Sequence, residues 1–590
     1  MRDRIRIRDF KAALLKVVAE VQFRPADKKR AFRINHNPHL IRLDKDVAVG
    51  RSIDKIHLVL KARTTAANDG NAQSPLSAAL FFQKRSQLRA GGVKDPDEFF
   101  IADSDFHRDC RGFHSPTMPR PARLRKTLGR MTSFCTQPVF SMTLFAQSLS
   151  ENRRTLALAS PIVAGFIGQM LMGLADTVMV GRIGVVPLAA CAFANTVLAV
   201  PLVFGFGVLS SISVRASHAH GKGDKERAGE ALRAGLVLAA VLGLLVALAI
   251  QFGVPLLPLL GQKPEVNAAS VTFLILCGWS VLPVYLTTAA KNFCEALSQP
   301  WIPFWIVLAS VLLNVALNWL LIYGNLGFPA LGLEGAGIAT LLARIAATVA
   351  IFAYVFTAHS LKSHRPTRWL APGLGNHFRK LVALGLPVGG LHFCEVSGFA
   401  FGSLMMGWIS VDALAAHQIA ITCAATTFML PLGISQAVSV RVGQARGARQ
   451  TERCRPIVFG AIGVTLGFMA GFAVLFIGAG RLIAGMFVPS PEIISLAAHL
   501  LIIAGVFQLF DGLQIVSSGA LRGFEDTRAP MLIGAVAYWV VALPVSGVLA
   551  FGVGIGAPGI WMGFVAGLAV AAVLLFTRLQ KRLRSLKIPA

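Results

Sequence analysis

From Leu156 to the C-terminal tail the chain is a succession of apolar runs cut by short polar or Gly- and Pro-containing breaks. The runs lie near 156–181, 186–214, 232–253, 267–290, 301–323, 335–357, 378–408, 413–440, 456–478, 492–520, 530–552 and 556–577. A helix that crosses a bilayer needs roughly 20 apolar residues in a row. Each of the twelve runs is long enough, and nothing in residues 1–141 comes close. The pattern predicts an all-α polytopic membrane protein of twelve transmembrane helices, preceded by a region of another character.

A shift of 226 residues lays the chain on itself. "LASPIV" from Leu158 falls on "LGLPVG" from Leu384, so Pro161 meets Pro387, and "LAAC" at Leu188 meets "LAAH" at Leu414. "GVLSSISVRASHAHGKG" from Gly207 meets "GISQAVSVRVGQARGAR" from Gly433, with Gly, Ser-Val-Arg, Ala and Gly coincident. Six spans per repeat, an even number, make the halves parallel repeats related by a pseudo-two-fold axis along the membrane normal, and such proteins hold their sites near the midplane between repeats. The expected division is an extension at 1–141, a first lobe at 142–370 with spans 1–6, and a second lobe at 371–590 with spans 7–12 and a basic tail. Residues 1–141 have no sustained period and no signal-peptide pattern. A start at Met142 accounts for them better than a basic cytoplasmic tail.

Charge sets orientation. The stretches 215–233, 358–380, 441–455, 522–528 and 578–590 hold 22 Lys and Arg, whereas the opposite loops hold Arg182, Lys263 and Arg481. The positive-inside rule then places both termini in the cytoplasm. The net charge of +28 does not signal nucleic acid, because the bases of the membrane region lie in short loops and not along one face. The loops after spans 2 and 8, "RASHAHGKGDKERAGE" and "RVGQARGARQTERCR", read as matched basic amphipathic segments, surface anchors with a hinge role. Eight cysteines without a CxxC pair are packing residues. There is no GxxxxGK[ST], HExxH or GxSxG, so ATP drive and an intramembrane enzyme are disfavoured.

Some polar residues interrupt the apolar runs. A charge at the bilayer centre costs at least about 2.5–3.5 kcal/mol, so an intramembrane acid is a functional candidate. Asp176 in "MGLADTVMVGRIG" is one, unless it only caps its span. Asn314 and Asn318 stand i, i+4 on one face, where amide oxygens suit an oxygen cage with the carboxylate or ordinary interhelical bonds. Glu395 and Asp511 sit mid-span in the second half. Glu395 is the repeat equivalent of Gln169, and Asp176 of Gly402, so the halves place charge differently. His392 is i, i+3 from Glu395, either sharing its proton or merely packing. Arg344, the lone base of its span, reads as a snorkelling or structurally paired residue.

"LASPIVAGFIGQMLMGLADTVMVGRIG", "AAHQIA", "LPLGISQAVSVRVGQARG", "LNVALNWLLIYG" and "SGALRGFEDT" resemble the multidrug and toxic compound extrusion (MATE) family, most like its NorM-type bacterial branch. The resemblance spans Leu156 to Arg578 and omits residues 1–141. It implies a cation site of Asp176, Asn314 and Asn318 in the first lobe, a sodium site in the family's pattern, and a second-lobe pair of Glu395 and Asp511 for coupling or substrate. Phe507 stands where relatives have a tyrosine, which weakens a sodium site there and leaves proton coupling open. His417 belongs to a structural motif. The implied activity is secondary antiport in the bacterial inner membrane. Cationic amphipathic compounds leave in exchange for Na+ or H+, with no cofactor, no nucleic-acid partner and a monomer as the working unit. Phe393, Phe399, Met405 and Met429 are candidate apolar contacts. The alternatives are a lipid-linked precursor flippase, which would need bases in a cleft where this sequence has acids, an exporter of an endogenous metabolite, and a passive channel.

Overall fold

Hydrocarbon leaves a backbone amide no partner outside its own segment, so each apolar run folds as a helix. In the computed structural model, which describes residues 122–366, 369 and 373–586, no strand occurs among the described residues. Twelve helices long and apolar enough to cross a membrane follow one another: α1 (Ser150–Gly181), α2 (Val185–Gly221), α3 (Lys225–Leu259), α4 (Pro264–Ala296), α5 (Trp301–Tyr323), α6 (Gly332–Thr357), α7 (Leu374–Ile409), α8 (Val411–Gly447), α9 (Thr451–Gly485), α10 (Pro491–Gly523), α11 (Arg528–Gly552) and α12 (Ala557–Ser585). The helix containing α1 begins at Ala122, and the rest of the extension expected at 1–141 lies outside the described residues.

The repeat survives in backbone detail. After α2 the amides of Lys222, Gly223 and Asp224 donate to the carbonyls of His218, His220 and Ala219, and after α8 those of Ala448, Arg449 and Gln450 donate to Gln444, Arg446 and Ala445. Every one of these positions differs by 226. Gly223 (φ 73°) and Arg449 (φ 58°) take the same left-handed step. The two turns are therefore tight, and each basic stretch read as a surface anchor covers the last turns of α2 or α8, the turn itself and the start of the next helix, with Lys222, Lys225, Arg227 and Arg449 exposed. Ala216, Ser217 and Ala219 are buried there, as are Val442 and Ala445. Contact between the halves extends these helices beyond the apolar runs.

The halves exchange their first turns. Leu158, Ala159 and Ile162 at the start of α1 join the core of Ile434, Ala437, Val458 and Leu521 in the second half. Leu381 at the start of α7 joins the core of Leu209, Leu232 and Val355 in the first. Between α2 and α7 the backbones nearly touch, since a Cβ on Gly207 would stand 2.7 Å from the Gly389 Cα. Small residues allow such approach in a bilayer, where packing and not hydrophobicity holds helices together.

The polar bonds between the halves lie at the basic-turn end or at mid-span among the described residues. Gln436 Nε2 donates to Ser213 Oγ at 3.3 Å, and Gln444 Nε2 to the Ala296 carbonyl at 2.8 Å. Thr426 Oγ1 approaches the Met170 Sδ at 4.0 Å. The strongest tie is at Glu151, which is buried. Arg441 of α8 pairs with its carboxylate and also donates to its carbonyl at 2.7 Å and to Thr155 Oγ1 at 2.5 Å. Arg453 reaches the other carboxylate oxygen at 3.0 Å. Breaking such a buried pair typically costs about 3–5 kcal/mol because a cation is left uncompensated. Glu151→Gln should lower the thermal unfolding midpoint of the purified protein markedly; an unchanged midpoint would show that the clamp is not holding the halves.

Candidate functional site

In the first half α1, α5 and α6 bring one polar group together. Asn318 Nδ2 donates to Asp176 Oδ1 at 2.5 Å and lies 3.3 Å from Asn314 Oδ1. Asn314 in turn donates to Thr340 Oγ1 on α6 at 3.3 Å. Both asparagines are fully buried, being one turn apart on the inner face of α5. The three residues singled out in the sequence therefore meet. Thr340 completes the group and had no signal in the sequence, because a lone threonine in a span is unremarkable until its neighbour is known. Asn318 Oδ1 is buried with no hydrogen-bond partner among the described residues. A free acceptor beside a carboxylate, an amide and a hydroxyl is an oxygen set suited to a hard cation such as Na+. The set is one carboxylate with amide and hydroxyl oxygens, hard donors that match an alkali cation better than a transition metal.

Arg344 follows Thr340 by one turn on α6. Its Nη1 donates to Ser280 Oγ at 2.7 Å, where α4 is interrupted, and its charge reaches Asp176. It is thus a structurally bonded residue within range of the site, a proximity that sequence reading missed.

In the second half α7 carries Glu395, which is buried. Tyr538 Oη donates to Glu395 Oε1 at 3.1 Å, and His392 Nδ1 lies 3.3 Å from Oε2. Tyr538 belongs to a stretch of wider π-type turns at Val536–Ala542 in α11. Such bulges reorient side chains and recur at functional sites. Asp511 on α10 is also buried and lies within electrostatic range of Glu395 and Tyr538. The two carboxylates predicted for this half therefore share one neighbourhood, and Tyr538 supplies the phenol that position 507 lacks. Phe507 instead packs edge-on against Phe399 and Trp561, with ring centroids 6.0 and 5.7 Å apart.

The divergence between halves has a steric reason. A side chain at Gly402, the equivalent of Asp176, would run into the Phe564 ring. Gln169, the equivalent of Glu395, is half-buried and has no hydrogen-bond partner among the described residues. His417 is fully buried with both nitrogens engaged: Trp561 Nε1 donates to Nδ1 at 3.1 Å, leaving Nε2 to bond Ser403 Oγ at 3.0 Å. Of the apolar candidates, Phe393 is exposed and Met429 half-exposed, while Phe399 lies in the aromatic cluster. Met405 is 3% exposed in the core and offers no surface to a ligand. Buried bases also occur, contrary to the expectation of acids alone. Lys291 and Arg522 are buried near the basic-turn end, with Lys291 set 3.7 Å from Glu295.

A family model described as MatE matches twice, at residues 161–320 and 387–548, its two copies starting on Pro161 and Pro387. The chain belongs to the MatE family. Among curated relatives, the probable multidrug resistance protein NorM of Bradyrhizobium diazoefficiens is 37% identical over 436 residues, covering 73% of this chain and 94% of the relative. That of Pseudomonas putida is 36% identical over 450 residues, covering 74% and 96%. Among solved structures, the outward-facing conformation of a multidrug resistance MATE transporter of the MOP superfamily has a TM-score of 0.70 at 20% identity, covering 74% of this chain and 97% of that one. The eukaryotic MATE transporter AtDTX14 has a TM-score of 0.69 at 21% identity, covering 75% and 99%.

As a NorM-type MATE protein the chain is a multi-pass transporter of a bacterial inner membrane and not an enzyme. Its two polar groups lie one in each half, the placement a two-lobed carrier needs if each lobe is to sense a charge. Asn318→Ala removes the amide donor to Asp176 and leaves Asn314 Oδ1 without its partner. Losing a bond to a charged group costs about 1.5–3 kcal/mol. The purified variant should unfold at a lower temperature than the parent, and an equal midpoint would contradict the bond.

Proposed function

We propose that this protein is a secondary active antiporter that exports cationic amphipathic compounds in exchange for Na+ or H+. The observation that carries this reading is the Asp176 group, a carboxylate held by a buried amide whose oxygen remains free. Asp176, Asn314, Asn318 and Thr340 offer oxygens to a sodium ion, and Asp176 alone offers a site to a proton. Both are transported substrates and not resident cofactors. In the second lobe Glu395 and Asp511 attract an organic cation, while Phe393 and Met429 supply apolar contact. Taking up a coupling ion on Glu395 or Asp511, or on Asp176 in the other lobe, lowers the negative charge available to the drug. That competition is the linkage an exchanger requires.

Alternating access completes the scheme. The bonds joining the halves lie at the basic-turn end or at mid-span, which the positive-inside rule puts on or toward the cytoplasmic side with both termini. The lobes at 142–370 and 371–590 then rock about the midplane, opening that end as the other closes. One chain contains both lobes, so a monomer suffices. A lipid-precursor flippase fits less well, since Asp176, Glu395 and Asp511 outnumber the one mid-span base, Arg344, and Lys291 is neutralised by Glu295.

Ethidium efflux from proteoliposomes under a sodium gradient or a pH gradient alone tests the coupling. Asp176→Asn and Glu395→Gln should each reduce driven efflux at least tenfold while leaving the protein folded in the membrane. Full efflux by both variants would refute the assignment. Sodium drive would assign a sodium site to the Asp176 oxygen group or to the second lobe despite Phe507; drive by pH alone would make Asp176 and Glu395 the proton carriers.

A further inference from the structure

The equivalence of the two basic turns reveals an unmatched socket. Around Glu151 stand three cations: Arg441 and Arg453, bonded to its carboxylate, and Arg154 at 3.9 Å. The shift of 226 carries them to Arg215, Arg227 and Lys380, so all three positive positions are kept. The same shift carries Glu151 to His377. The carboxylate alone has been lost.

Arg215, Arg227, His377 and Lys380 line one cavity of about 390 Å³, together with His218, Lys222 and a single acid, Glu525. The nearby carboxylates are fewer than the cations and are shared among them, with Glu525 also within electrostatic range of Arg215. Glu525 lies 3.2 Å from Arg446 and 4.0 Å from His218, Asp224 lies 3.2 Å from Arg227, and Glu230 lies 2.9 Å from Arg233. Arg215 is half-buried and within electrostatic range of Glu525, but no hydrogen bond or close ion pair meets its guanidinium among the described residues. Its equivalent, Arg441, is bonded at both terminal nitrogens. A guanidinium partly removed from water and left without an acceptor is costly, and its planar fork matches an oxyanion.

We propose that this cavity is an anion site that takes a phosphate oxyanion in the place Glu151 holds in the other half. The volume exceeds what one carboxylate fills, and the surplus of cations suits a phosphate. Two sources share that chemistry: the headgroup of an anionic lipid, which lies at this depth beside the ends of the spans, and a soluble phosphate. The bound anion ties Arg215 of α2 to Lys380 of α7. It joins the two halves at the basic-turn end, as Glu151 joins α1 to α8.

The test is the thermal unfolding midpoint of the full chain in neutral detergent. It is measured in chloride, in inorganic phosphate at matched ionic strength, and with added phosphatidylglycerol or phosphatidylcholine. Phosphate or phosphatidylglycerol should raise the midpoint, and phosphatidylcholine should not. His377→Glu, which restores the internal carboxylate, should raise the midpoint in chloride and abolish the response; Arg215→Gln should abolish the response alone. A rise with inorganic phosphate assigns a soluble anion, and a rise with phosphatidylglycerol only assigns a lipid headgroup. No rise with either, or an undiminished rise in His377→Glu, overturns the proposal.

Discussion

A hydrocarbon interior solvates neither a charge nor an unpaired amide, and this constraint shapes the whole protein. It forces every span to be helical. It also makes each polar side chain inside a span find a partner or stay as an unsatisfied group available to a ligand. Asp176 is tolerable because Asn318 donates to it, and Glu395 because Tyr538 does. Where the equivalent of Asp176 would lie in the second half, an aromatic ring fills the space and glycine is the residue that fits.

Duplication supplies the frame and divergence supplies the chemistry. The turns after α2 and α8 keep the same hydrogen bonds and the same left-handed residue. Around them the side chains have separated in role. One turn is closed by an internal carboxylate at Glu151, whereas the other keeps the cations and has a histidine. In the rocking scheme proposed above, this asymmetry leaves one clamp closed within the chain and the other dependent on a bound anion.

Much of this was legible in the sequence. The twelve spans follow from length and hydropathy, and the single shift of 226 that aligns Pro161 with Pro387 also pairs the backbone hydrogen bonds of the two turns. Asp176, Asn314 and Asn318 announced themselves as polar residues in apolar runs. The partners did not. Thr340 and Tyr538 look like ordinary span residues, and Tyr538 reaches Glu395 from a π-type stretch that no apolar period encodes. Glu151 precedes the first apolar run and so escaped notice, although it ties the two halves. The basic stretches hid one role, because nothing in the sequence separates Arg441, which the opposite half buries, from the exposed bases beside it.

The central claim is that carboxylates inside the lobes govern how the lobes move, and its most direct test is a distance. Val185 and Val411 are repeat equivalents at the starts of α2 and α8, away from the basic turns, and both are 83% exposed. Spin labels at these two positions, read by pulsed dipolar spectroscopy in lipid nanodiscs, should approach one another when sodium or acid is added, and Asp176→Asn should weaken that response. A single distance that ignores both ions would contradict the account.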